Sequence, residues 1–153
     1  MTFKNIFEKE NANDVVSRIQ QLTPESKPEW GKMNVAQMLA HLCVQYELVY
    51  EPDRFKKPSG FERFIIKLLA KKQVVGEKPY PKNGRTAPIF VIADKRDFDV
   101  EKNRLINFIY KTQELGENHF DGKDSHSFGK LTKNEWNTLF YKHIDHHLRQ
   151  FAA

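Results

Sequence analysis

Residues 132–151 read as one helix that limits what the rest of the chain can do. Thr132 followed three residues later by Glu135 is a capping box, and Trp136, Leu139, Phe140, Ile144, Leu148 and Phe151 recur at helical spacing. With Trp136 at zero and about 100° per residue, Phe140 falls at about +40°, His143 at about −20°, His147 at about +20° and Phe151 at about +60°. Two imidazoles therefore sit at the centre of the apolar stripe. A fold that buries this stripe must also find partners for both rings, because a buried polar group without one costs roughly 2 kcal/mol or more. His146 lies on the margin of the stripe, and Asp145 points to the opposite side.

The remaining pattern is helical too. A short helix is expected from about 13 to 22, ending at Thr23-Pro24 because the residue before proline disfavours helix. A second runs from Asn34, whose Gln37 completes a capping-box-like start, to about Tyr50. Val35, Met38, Leu39, Leu42, Tyr46 and Val49 form its main face, and Ala40 and Leu48 extend the apolar surface around it. Such a helix is expected at the centre of a bundle. A third, about 59–72, is expected to turn Phe61, Phe64, Ile65, Leu68 and Leu69 to the core and its lysines outward. Lying on a membrane surface is the alternative for such a basic amphipathic helix. A fourth begins at Asp97 or Asp99 and ends before Gly116. Residues 76–88 and 117–131 read as long loops, with a short extended piece at 89–92. The expectation is an all-α single domain over residues 1–153: a four-helix bundle with a short extra N-terminal helix and two long crossover loops.

The net charge of +5 is unevenly spread. Between Arg54 and Arg85 ten basic residues face only Glu62 and Glu77, so that stretch is +8 and the remainder is −3. A solvated basic face is the ordinary reading, and contact with an anionic partner is the sharper one. No basic–aromatic pattern or zinc-finger spacing accompanies it, which argues against nucleic acid. The lone Cys43 excludes an intramolecular disulfide. No signal-like stretch opens the sequence, and Lys67 interrupts its greasiest segment, 64–70, so no membrane span is expected. A reducing, cytoplasmic compartment is the default expectation.

Histidines at i and i+4 can aim nitrogens at one ion, and imidazole suits zinc, nickel, copper and iron. The plain alternative is a pair of core histidines bonded to carbonyls or carboxylates. A metal site needs a third ligand from another element, and His41, His119 and His126 are available. His41 lies off the centre of its helix's main stripe, on the side shared by Met38, Gln45 and Leu48. His126, in a glycine-containing loop before the last helix, is placed to cap the site or touch a substrate. His119 beside Asn118 and Asp121 reads as solvated, and Cys43 as a buried thiol pointing away from His41. Glu47 and Asp145 are the carboxylates considered for orienting an imidazole.

The segment Trp30–Leu42 (WGKMNVAQMLAHL), the loop His126–Thr132 (HSFGKLT) and the ending Glu135-Trp136 … Tyr141–Phe151 (YKHIDHHLRQF) together resemble three signatures of the DinB/YfiT-like metalloenzymes, and more narrowly an uncharacterised branch of them. Residues 51–94 have no counterpart in the resemblance, and Ser127 stands where that branch carries proline after the loop histidine. The resemblance implies a four-helix bundle holding a divalent metal on His41, His143 and His147, with His126 in a site loop. Some members of the superfamily are transferases or isomerases using a low-molecular-weight bacterial thiol, and their bundles often form homodimers.

The leading expectation is therefore a metal-dependent enzyme acting on a small molecule, with zinc, nickel or an iron-type ion in an open three-histidine site. It would transfer a thiol, or hydrolyse its substrate as the close variant. The alternatives are a structural ion, and a non-enzymatic bundle that binds an anionic partner or a membrane surface through residues 54–85.

Overall fold

The computed structural model describes residues 3–153. Six helices account for nearly all of its regular structure: α1 (Lys9–Gln20), α2 (Val35–Tyr50), α3 (Gly60–Val75), α4 (Phe98–Leu115), the single turn α5 (Glu117–Phe120) and α6 (Lys133–Gln150). The chain is mainly helical, as its periodicity predicts. The first helix begins four residues earlier than expected and stops before Leu22, which is buried just past its end.

Three helices start where the capping residues say they should. The side chains of Asn34, Ser59 and Thr132 each accept the backbone N–H three residues on. Gln37, Glu62 and Glu135 each accept an N–H in return. Each such cap is worth about 1 kcal/mol. Asp97 starts α4 by accepting from the Val100 N–H, and Gly116 ends it with a φ of 77° that side-chain-bearing residues rarely adopt.

The helix α2 lies centrally, packed against α4 and α6. Apart from Gln37, every residue from Val35 to Glu47 is buried. It shares one core with α1, α4 and α6, in which Leu39, Leu42, Tyr46, Leu105, Ile109, Phe140 and Leu148 are fully enclosed. Each such Leu or Ile contributes about 1.5–3 kcal/mol by leaving water. Stacked rings of Tyr46 and Phe140, 5.1 Å apart, join α2 to α6.

Two expectations are corrected. The stretch 117–131 is not a plain loop. It contains α5 and a two-residue antiparallel hairpin, β1 (Asp124–Ser125) with β2 (Gly129–Lys130), in which Ser125 pairs with Gly129. Residues 88–90 form a tight helical turn instead of an extended piece.

The larger correction concerns α3, whose expected core face points outward. Phe61, Phe64, Leu68 and Leu69 are 75%, 60%, 70% and 77% exposed, and no residue of the helix is fully buried. Polar tethers select the orientation. Lys71 pairs with Glu135 of α6 at 2.9 Å, and Arg63 pairs with Asp124 at 2.6 Å and donates to the Ser125 carbonyl. Lys142 of α6, only 2% exposed, donates to the carbonyls of Gln73, Gly76 and Lys78, so it closes the C-terminal end of α3. The side turned inward is the small one of Ile66, Ala70 and Val74. Among the described residues no helix is long and apolar enough to cross a membrane.

Candidate metal centre

The wheel of α6 places His143 and His147 on the core side, and α2 brings His41 across from them. The three rings form a nearly equilateral triangle. Their centroids lie 4.9 Å apart for His41–His143, 4.6 Å for His41–His147 and 5.0 Å for His143–His147. One nitrogen from each falls within 4.8 Å of the others, close enough for one ion to be held by all three. The rings are 4%, 9% and 8% exposed, and all three line one cleft of about 1510 Å³.

The outward contacts fix which nitrogen faces the centre. Nδ1 of His41 lies 2.8 Å from the Phe90 carbonyl, which can only accept, so that nitrogen carries the proton. Nδ1 of His143 lies 2.6 Å from Oε1 of Gln45, and Nδ1 of His147 lies 2.7 Å from Oε1 of Gln150. Both glutamine amides are oriented by their own nitrogens. Gln45 Nε2 donates to the Leu139 carbonyl at 2.9 Å, and Gln150 Nε2 donates to the Trp30 carbonyl at 2.7 Å. Each oxygen must therefore accept from a histidine. All three neutral rings are thus Nδ1–H tautomers, with the Nε2 lone pairs left for the centre.

That arrangement is unsatisfied by protein alone. His41 Nε2 and His143 Nε2 approach to 2.9 Å with no proton assigned to either. Two lone pairs at that distance are placed to share a cation. A proton is disfavoured, because burial lowers the pKa of His41, pushes that of His143 well below the ordinary histidine value, and brings that of His147 down to about 3. For His143 and His147 the neighbouring imidazoles add to the effect. Three neutral imidazoles with converging lone pairs beside an open cleft form a group that could hold a metal ion.

The supporting contacts are held by local chain geometry. Residues 29–31 clip onto the end of α6: the Glu29 N–H donates to the Gln150 carbonyl at 2.7 Å. Gly31 has a φ of 87°, and a Cβ there would lie 2.6 Å from Gln150 Nε2. A side chain at that position would displace the amide that orients His147. Phe90 covers the site from the tight turn at 88–90, its ring 5.5 Å from His41 and 5.7 Å from His143. Tyr80, Trp30 and His146 line the cleft beside it, with the His146 ring 5.6 Å from Tyr80 and 5.7 Å from Trp30.

The other candidates fall away from the triad. His126 lines the cleft, but its ring nitrogens contact Ser127 Oγ at 3.0 Å and the Lys56 carbonyl at 3.2 Å. His119 is exposed. Cys43 is buried on the opposite side of α2, its Sγ 3.7 Å from the Glu101 carbonyl, and burial pushes its thiol pKa up. Neither carboxylate considered for orienting an imidazole does so. Asp145 pairs with Arg18 and Arg149, each at 2.9 Å, and Glu47 pairs with Arg104 and Arg54. Amides and a backbone carbonyl take that role. Gln150 stands three residues after His147, on the side of α6 that carries the ring it orients, and Gln45 stands four after His41, on the side of α2 that faces His143.

A family model described as "Protein of unknown function (DUF1569)" matches residues 2–153. Neither the curated proteins nor the solved structures contain a match to the chain.

Proposed function

We propose that this chain, which belongs to the DUF1569 family, is a divalent-metal-dependent enzyme that acts on a small molecule in the cleft above His41, His143 and His147. The observation that carries the reading is the convergence of three Nε2 lone pairs whose Nδ1–H groups are all committed outward. Three protein ligands leave further coordination positions, as in catalytic sites and unlike closed structural ones.

Thiol transfer is the reaction we favour, in line with the DinB/YfiT-like resemblance of 30–42, 126–132 and 135–151, and the chain is then one helical domain of that type working in the cytoplasm. The ion would supply Lewis acidity that favours the thiolate of an entering low-molecular-weight thiol. The protein's own groups do the rest. His41, His143 and His147 stay neutral through burial and remain ligands at neutral pH. Gln45, Gln150 and the Phe90 carbonyl hold the rings in register, which is the usual means of raising ligand basicity. Phe90 and Tyr80 exclude water from one side, and Leu48, Val49, Ile66 and Val74 offer an apolar wall for the body of a substrate. Lys32, Lys57, Arg63, Arg85 and Lys123 line the same cleft against the single acid Asp124, so a carboxylate-bearing thiol or substrate is the matching charge. Hydrolysis by an activated water is the close variant.

The test is turnover by metal-loaded protein against panels of thiols with electrophiles and of hydrolysable esters and amides, beside His143→Ala. Expected is thiol consumption that requires both the ion and His143. Metal-loaded protein that turns over no member of either panel would remove the enzymatic reading.

A further inference from the structure

The outward face of α3 has no partner among the described residues. Phe61, Phe64 and Leu68 are each at least 60% exposed, half-buried Ile65 lies on the same surface, and Leu69, 77% exposed, stands where this face meets the rim of the cleft. At about 100° per residue, the side chains from Phe64 to Leu69 cover roughly 140° of the helix. Single exposed apolar residues need no explanation, but a contiguous set of this size marks an interaction site. The helix does not depend on an outside partner for its place. Its capping box, the Lys71–Glu135 and Arg63–Asp124 pairs and the Lys142 clasp hold it to the body, and Ile66, Ala70 and Val74 pack inward.

Charge decides among the occupants. Lys67 and Lys72 are exposed at the edge and end of the apolar face, and Lys56 and Lys57 are exposed just before the helix. Residues 54–85 as a whole carry +8. A two-fold pairing of this face with a second copy would bring two such segments together within about a Debye length, roughly 8 Å at physiological salt. An anionic surface instead receives both halves of the pattern at once. The rings and leucines enter the boundary between headgroups and acyl chains, and the lysines reach back to the charged headgroups. Each lysine near such a surface adds to the attraction.

We propose that the outward face of α3 docks this protein onto an anionic lipid surface, as a peripheral and reversible attachment. The helix lies in the plane of the interface, and the protein body stays on the aqueous side.

The test is flotation of the full chain with vesicles of phosphatidylcholine alone and with vesicles containing about 25 mol% phosphatidylglycerol. Two variants accompany it, Phe64→Ser/Leu68→Ser and Lys67→Glu/Lys72→Glu. All four side chains are exposed, so circular dichroism and melting temperature should stay close to wild type. Expected is binding to the anionic vesicles that is about tenfold or more tighter than to the neutral ones and falls in about 0.5 M salt. Each variant should lose about tenfold or more of it. Wild-type protein that floats with neither vesicle, or with both equally, overturns the proposal. So does undiminished binding by both variants. A concentration-dependent dimer in sedimentation equilibrium that Phe64→Ser/Leu68→Ser turns into a monomer would assign the face to a second copy instead.

Discussion

Gln45→Leu isolates the contact that ties the triad to the fold. Gln45 is 7% exposed and makes two buried bonds, accepting from His143 Nδ1–H at 2.6 Å and donating to the Leu139 carbonyl at 2.9 Å. Leucine keeps the volume and removes both. The His143 ring then loses the acceptor that fixes its tautomer and angle, and its Nδ1–H is left buried without a partner. Loss of such an orienting contact weakens metal binding about 10- to 100-fold, equivalent to about 1.4–2.7 kcal/mol. The unsatisfied N–H costs the apo protein about 1–3 kcal/mol of stability, partly offset by the new apolar contacts. Gln45→Glu is the companion variant. Its carboxylate accepts more strongly from the imidazole, so affinity should be kept even though the Leu139 carbonyl loses its donor. Competition for zinc against a chromophoric chelator reads the affinity, and urea unfolding of the apo proteins reads the stability. A Gln45→Leu protein that holds zinc within about twofold of wild type would refute the reasoning.

Three further outcomes are expected. The apo protein should lose stability as pH falls below about 6.5. The unfolded histidines take up protons there while the buried ones do not, His147 only near about 3, so the unfolded state binds more protons throughout that window; a urea midpoint that stays constant or rises from pH 7 to pH 5 would contradict this. Cys43, fully buried with its pKa pushed up, should resist a disulfide reagent in the native state and react once on unfolding, and prompt labelling of native protein would count against its placement. Arg104→Leu should destabilise by about 1–3 kcal/mol in chemical denaturation, because Glu47 and Glu101, 6% and 5% exposed, lose their shared guanidinium and keep only the longer pairs with Arg54 and Arg96; a loss under about 0.5 kcal/mol would show the Arg104 pairs to be dispensable.

What could be read from the sequence was what depends on one helix at a time. The capping boxes at Asn34 and Thr132 mark true helix starts, and the wheel of α6 puts His143 and His147 inside while leaving His146 half-buried at the cleft. His41 could not be chosen from its own helix, because α2 is buried almost all round and any of its sides has a neighbour. The resemblance to the DinB/YfiT-like signatures points to it, and its ring stands 4.9 Å from that of His143 and 4.6 Å from that of His147. Legibility ends where tertiary contacts decide. The apolar stripe of α3 was legible, but periodicity cannot say whether a stripe meets the core or the outside. Three long polar side chains, Arg63, Lys71 and Lys142, turned it outward through partners on β1 and α6 and through the end of α3 itself. The orienting groups of the triad are hidden from the sequence for a similar reason. Carboxylates are the partners the sequence suggests, yet Glu47 and Asp145 are committed to arginines, and the role falls to Gln45, Gln150 and the carbonyl of Phe90.

The most direct measurement is metal content by plasma mass spectrometry on tag-free protein purified without added metal or chelator, beside His143→Ala. About one divalent ion per chain is expected in the wild type and none in the variant, with both proteins helical by circular dichroism. A wild-type protein that carries no ion and takes up none from micromolar zinc or nickel would contradict the metal site, as would a His143→Ala protein that remains fully loaded.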